Sequence, residues 1–353
     1  MGRHHVPERP RVGDPAAVRN TALALVGLAL VVVAMIASYS GAFAKPTLHH
    51  LTVAVAAPPQ VANGLRGQDG LAITEVGDAA TARTQVYERA TDAAFAVDPT
   101  GAMKIFVAGG GGRSVAAAAE TVGRAVAAKS GLRATVEDVA PVSAADPSGT
   151  VEFYAVIFIS IGASVGATVL GRFMGTVRTP AILGLRTVTL AGYSALLAGG
   201  VTLYVDVILG ALVGHGWQVF GALRLYAMAV AGAITGTAAA FGTGVSLALT
   251  LFLVIVGNAA AAGPVGRPLL SGFYSTFSTI VPQGSGVSLL RSVVYFGGNG
   301  AATSLLTLVL WAAAGCLLAI VATAARVNYR AGHERFPRRR RALLRPRLLP
   351  SAD

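Results

Sequence analysis

Charged residues are scarce in this chain, at 12% of 353 positions. A soluble domain carries about 25%. With 54% hydrophobic residues, that scarcity excludes an ordinary water-soluble domain. Cysteine is nearly absent: Cys316 stands alone inside an apolar run, which excludes an intrachain disulfide framework and a cysteine metal site. Also missing are H-E-x-x-H, G-x-S-x-G, a Walker loop and any paired carboxylate in the apolar segments. The chain is therefore expected to be no enzyme, to hold no cofactor or metal, and to hydrolyse no ATP itself. Glycine, at 43 residues, is as abundant as membrane helices tolerate.

What is present is a series of long apolar runs. A bilayer core takes about 20 apolar residues per helix. Residues 21–44 qualify, following Arg3, Arg9, Arg11 and Arg19. The "AFA" before Lys45 has the small residues of a signal-peptidase site. Its apolar run exceeds the roughly 7–15 residues of a signal peptide, so an uncleaved signal anchor is expected. Residues 153–170 and 188–212 give the second and third spans. The run 220–255 and the residues just after it are too long for one span. "AAFGTGVS" breaks them near Phe241 and Gly244, giving a fourth and a fifth, and 301–325 is the sixth. The expected fold is an α-helical integral membrane protein with six transmembrane helices and an extracytoplasmic α/β domain between the first and second.

The net charge of +12 follows this topology. The tail 1–20 carries +2, the loop with Arg172, Arg178 and Arg186 carries +3, and the tail 326–353 carries +7. Residues 45–152 carry −2, and the other membrane-domain charges are Asp206, Arg224, Arg267 and Arg291. Basic residues mark the cytoplasmic side, so both tails are expected inside and 45–152 outside. No basic face remains for nucleic acid. The tail "RRRRALLRPR" is either a grip on anionic lipid, at about 1 kcal/mol per basic residue near the surface, or a plain positive-inside tail.

Residues 45–152 read as a small α/β domain. "LTVAVAA", "LAITEV", "AAFAVDP", "MKIFVAGG" and "RATVEDVAPV" have strand composition. Residues 78–90 and 114–129 read as helices, the second closed by Gly131. "FVAGGGGRS" matches neither G-x-G-x-x-G nor G-K-[ST] and is expected to be a tight strand-to-helix turn. His49 and His50 are adjacent, so a strand points them to opposite faces, which suits a surface pair better than a metal.

In the membrane domain, residues 153–325, Asp206 in "LYVDVILG" is the acid within a span. An intramembrane charge is a functional candidate by default. It lies about 9 Å, six residues, from the end of its helix, and Arg224 lies at a similar depth on the next helix. An Asp206–Arg224 pair is expected, either fixing the two helices or serving transport. Gly162 with Gly166, and Gly232 with Gly236, form GxxxG faces for close packing. In "VPQGSGVSLLRSVVYFGG", Pro282, Gly284 and Gly286 punctuate. Ser288, Arg291, Ser292 and Tyr295 then share one helix face. That pattern predicts an interfacial or re-entrant helix within about 267–296, with Arg291 at lipid-headgroup depth.

Four stretches carry a resemblance over nearly the whole chain: "LHHLTVAVAA" after the first span; "AAFAVDP" with "MKIFVAGG" in the α/β domain; "VDVILGALVGHGW"; and "VIVGNAAAAGPVGRPLLSGFYSTFSTIVPQGSGVSLLRSVVYFGG" before the last span. Their order resembles the YhgE/Pip (phage infection protein) group, related to the membrane subunits of type-2 ABC exporters. That resemblance implies a multi-pass protein of the bacterial plasma membrane with both termini cytoplasmic. It implies short helices dipping into the outer leaflet, contact with membrane lipid, a homodimer and a separate P-loop ATPase. The function it implies is an exporter permease-like subunit for a hydrophobic or cell-envelope substrate, and "GRFMGTVRTPAILG" in the loop 171–187 is long enough for a coupling helix. The competing expectation is a non-transporting envelope scaffold or receptor whose outer domain binds a secretion-system component or a phage.

Overall fold

The computed structural model describes residues 15–175 and 179–343. Arg3, Arg9, Arg11, Arg178 and the end of the polybasic tail lie outside the described residues. The chain opens with α1 (Pro15–Phe43), a 29-residue helix apolar on every side. Its outward face is almost wholly uncovered: Leu23, Leu28 and Ile36 are exposed.

The α/β domain follows. Its strands are β1 (Leu51–Ala56), β2 (Leu71–Glu75), β3 (Ala93–Val97), β4 (Ala102–Val107) and β5 (Arg133–Asp138). Between them lie the helices α2 (Pro59–Arg66), α3 (Ala79–Tyr87) and α4 (Arg113–Lys129). One sheet results, in the order β2-β1-β3-β4-β5. All neighbours are parallel except β3 and β4. That pair is a hairpin whose turn is held by Asp98, which accepts hydrogen bonds from Thr100 N and Ala102 N. Alternation along β1 sends Leu51, Val53 and Val55 to one side, against Leu65 of α2 and Val126 of α4. Ala54 goes to the other side, with Ala94, Phe106 and Val86 of α3. Both faces are covered, as parallel strands require. Helix α2 is absent from the sequence expectation; its Pro59 occupies a first-turn position, where a missing N–H costs nothing.

The helical domain comprises α5 (Val151–Met174), α6 (Pro180–Thr202), α7 (Gly216–Phe241), α8 (Thr243–Phe252), α9 (Gly272–Ile280), α10 (Pro282–Tyr295) and α11 (Ala301–Leu343). Helices α6 and α8 each run on into a π-helical segment, Leu203–Ile208 and Leu253–Gly257. Helix α7 is central and packs on α5, α6, α10 and α11.

Five helices among the described residues are long and apolar enough to cross a membrane: Pro15–Phe43, Val151–Met174, Pro180–Ile208, Gly216–Phe241 and Ala301–Val327. The expected fifth of six spans, Thr243–Gly257, is shorter. Its 15 residues rise only about 22 Å, against a hydrocarbon core of about 30 Å. The chain does break at Gly242 (φ 89°), but it stops again near Ala262, where the backbone turns left-handed. The loop expected at 171–187 is shorter. Helix α5 runs on to Met174 and α6 begins at Pro180, so the connection is 175–179, too short for a coupling helix. Thr179 caps α6 by accepting from Ile182 N, with Pro180 at the first helical position. Arg172 and Arg186 interrupt the apolar runs in sequence without interrupting the helices.

Candidate functional site: a cationic cleft between the two domains

The segment 259–300 grips the sheet on both faces. Ala259, Ala262, Val265 and Leu269 join the core on the α2/α4 side. Phe296, just past α10, joins the core on the α3 side. Four glycines make this possible. Gly109–Gly111 form one tight turn, and Gly112, at φ 142°, starts α4. A Cβ on Gly110 would lie 2.4 Å from the Tyr295 ring, and one on Gly112 would lie 3.5 Å from Arg291 Nη1. The "AGGGG" stretch is thus a close-approach surface for α10.

Arg291 is at the centre of this contact. Its Nε donates to Glu152 Oε1 at 3.1 Å, with both side chains 5% exposed or less. Its Nη1 donates to Gly111 O at 3.1 Å and its Nη2 to Gly263 O at 2.9 Å. The guanidinium therefore ties α5, the glycine turn and the α8–α9 connection together. Arg291 is buried within the protein and is not presented to lipid. Helix α10 is buried along most of its length, because its polar face meets the α/β domain. Its glycines serve packing: a Cβ on Gly284 would strike Ser278 O at 1.9 Å, and one on Gly286 would lie 3.1 Å from Tyr226 and Val156. Pro282 starts the helix and is itself buried.

Beside this junction lies a cleft of about 510 Å³. Arg89, Arg267 and Arg291 line it, with His50 and a single acid, Asp92. That acid is already engaged, accepting from Thr52 N at 2.9 Å and Thr52 Oγ1 at 2.7 Å. The rest is rich in serine and threonine, including Thr91, Ser288 and Thr303. Thr91 Oγ1 is buried and has no hydrogen-bond partner among the described residues. Arg89 reaches in from the end of α3. Its Nη1 donates to Ser288 O at 2.8 Å and to Ser292 Oγ, its Nη2 to Ser288 Oγ at 3.3 Å, and it stacks 5.1 Å from the Phe296 ring. Burial first, and the neighbouring Arg291 charge second, push the Arg89 guanidinium down to about 10. An anion in the cleft would relieve that repulsion.

Two non-glycine residues among those described have left-handed backbones, Arg89 (φ 61°) and Ala262 (φ 59°). Both line this cleft. Each such residue costs about 1–2 kcal/mol, and strain of this kind concentrates at functional sites.

The other residues singled out in the sequence lie elsewhere. Asp206 and Arg224 are not among the ion pairs of the described residues. Asp206 sits in the π-helical end of α6, where a Cβ on Gly216 would lie 2.6 Å from its Oδ2. That puts a carboxylate beside the first residue of α7, the end a helix dipole makes favourable to anions. Arg224, about 12 Å further along α7, is exposed. Gly162 and Gly166 face α6, where Tyr193 donates to Gly162 O at 2.9 Å. Gly232 and Gly236 face α11, where a Cβ on Gly236 would lie 2.1 Å from Gly315 O. His49 and His50 are exposed, and the described residues contain no cluster able to hold a metal ion. Arg89, Glu152 and Thr91 escaped the sequence reading; no local pattern marks them. Comparison with protein-family models, curated proteins and solved structures gives no match for this chain.

Proposed function

We propose that this chain is the membrane subunit of an exporter, moving an amphiphile with an anionic headgroup outward with a separate ATPase. One observation carries the reading: a strained, arginine-rich and hydroxyl-rich cleft opens where the α/β domain meets the helices. Three arginines against one engaged aspartate suit a phosphate or carboxylate, because charge-assisted hydrogen bonds are the strong ones. The lipid-facing helices beside it would accommodate an apolar tail. In this reading Thr243–Gly257 completes a sixth crossing, both termini are cytoplasmic, and the cleft faces the outside of a bacterial plasma membrane.

The short 175–179 connection favours the second reading, a non-transporting receptor or scaffold, since it leaves an ATPase no coupling helix there. Two measurements separate the two. Dodecyl phosphate, titrated against the purified chain in neutral detergent, is expected to raise its melting temperature, and Arg89→Gln to weaken binding about tenfold, the loss of one charged hydrogen-bond donor. Mild-detergent purification from the native host is then expected to bring down a P-loop ATPase. Phosphate binding without any ATPase, and export unchanged on deleting the gene, would favour the receptor; no binding at all would discard the cleft.

A further inference from the structure

At the end of the helical domain remote from the α/β domain lies a second cavity, of about 330 Å³. The last turns of α5, the first turns of α6, the end of α7 and the start of α8 enclose it. Its wall is largely apolar, with Ile234, Ala238, Ala239 and Leu247, and Arg172 and Arg186 stand on one side. Leu247 and Arg172 are exposed, so the cavity opens at the surface of the helix bundle. No acid lines it. The two acids in residues 151–327 are Glu152 and Asp206, and both sit at the other end of the bundle.

Arg186 is 4% exposed. Its Nη2 donates to Ala167 O at 3.3 Å and its Nη1 to Gly175 O at 3.2 Å, carbonyls near the C-terminal end of α5. These contacts with α5 and the residue after it account for those two groups. They do not account for Nε, which is buried and meets no acceptor among the described residues. A buried donor of a charged group left unpaired is costly, so a turn of the guanidinium that brings Nε to an acceptor in the cavity would be favourable. Three of the four hydroxyls lining the cavity are already engaged. Thr168, Ser246 and Thr250 each donate to a backbone carbonyl. Water alone would suit a polar chamber, whereas this one continues from a guanidinium onto an apolar wall.

We propose that this cavity holds the anionic headgroup of a phospholipid. Arg186 turns to donate from Nε to a phosphate oxygen, Arg172 faces the phosphate from the rim, and the first acyl carbons run along Ile234 and Leu247. The site is about 28 Å from Glu152, taking 19 residues of α5. It is therefore separate from the cleft and stands whether or not the chain transports anything.

The full chain in neutral detergent is titrated with dioleoyl phosphatidylglycerol, dioleoyl phosphatidylcholine or inorganic phosphate, and bound lipid is counted by native mass spectrometry. One phosphatidylglycerol is expected to stay bound, with phosphatidylcholine retained about tenfold less, as loss of a charge-assisted bond implies. Arg186→Gln is expected to lose about tenfold in retention. Because that change also removes the bonds from Arg186 to Ala167 O and Gly175 O, Ala238→Phe is the second variant. It fills the cavity with a ring, leaves the arginine in place, and is expected to abolish retention without lowering the lipid-free melting temperature. Lys104→Gln, which removes a surface cation on β4, is expected to retain the lipid. Equal retention in Ala238→Phe and the unaltered chain would overturn the proposal. So would equal binding of phosphatidylcholine, which would mean an apolar groove alone. Displacement by free phosphate would assign the site to a soluble anion and overturn the lipid.

Discussion

Glu152 and Arg291 lie 139 positions apart in sequence and 3.1 Å apart in the fold. A buried ion pair adds little net stability, because desolvation offsets most of the attraction, but removing one partner strands the other charge. Glu152→Gln is accordingly expected to destabilise the protein by about 3–5 kcal/mol. Differential scanning fluorimetry in detergent reads this as a lower melting temperature. Arg291→Met added to Glu152→Gln should recover part of the loss. Full recovery is not expected, because Gly111 O and Gly263 O then lose their donor. An unchanged melting temperature in Glu152→Gln would mean the pair holds nothing together. At this scale the sequence was least informative. Glu152 reads as the last residue of a polar segment, and Arg291 as one cation on a polar helix face. Nothing local indicates that the helix presents that face to another domain. Asp206 stood out because its neighbours are apolar, and it proved to sit beside a helix N-terminus instead of a cation.

Elements were far more legible, because each follows from a local period. All five strands of the α/β domain coincide with runs of β-branched and apolar residues, and "VDPTG" marks the one hairpin. What local pattern cannot supply is the partner of each face. The glycines of α7 announce close packing, yet Gly315, which meets them on α11, sits in "WAAAGC" and forms no GxxxG. The contact is reciprocal: a Cβ on Gly315 would lie 2.3 Å from Gly232 C, and one on Gly236 would lie 2.1 Å from Gly315 O. Backbone cannot rotate aside, whereas a leucine tip can. Gly236→Ala is therefore expected to cost about 1–3 kcal/mol. Gly162→Ala, whose Cβ meets only Leu197 methyls at 3.2–3.3 Å and the Tyr193 hydroxyl at 3.6 Å, should cost less. Melting temperatures of the two variants in one detergent give the order. Equal values would mean that α7 and α11 separate more easily than their contact implies.

At the scale of the whole molecule, the fold sets the α/β domain at one end of the helices and Arg172, Arg186 and Arg326 at the other. Helix α1 ends at the α/β domain and α11 begins there, beside the Arg89–Gly300 contact. Their other ends therefore lie at the remote end, with Arg172, Arg186 and Arg326; Arg326 donates to Ala239 O near the end of α7. Helix α7 also finishes at that end, and the 15 residues Thr243–Gly257 bring the chain back, with Ser38 of α1 donating to Ile255 O. This segment is about 8 Å shorter than a bilayer core. Local thinning of the bilayer or burial against α1 and α10 would absorb such a mismatch. If the arginine-rich end is cytoplasmic, the hairpin tip at Thr100 faces outward and Phe173 faces inward. Cys316→Ser removes the native thiol and makes single cysteines informative. Thr100→Cys is expected to react with a membrane-impermeant maleimide in intact cells, and Phe173→Cys only after lysis. The reverse pattern would place the α/β domain inside, turn the cleft toward the cytoplasm and remove outward release as its role. Labelling of both positions in intact cells would mean that the chain does not cross the membrane between them.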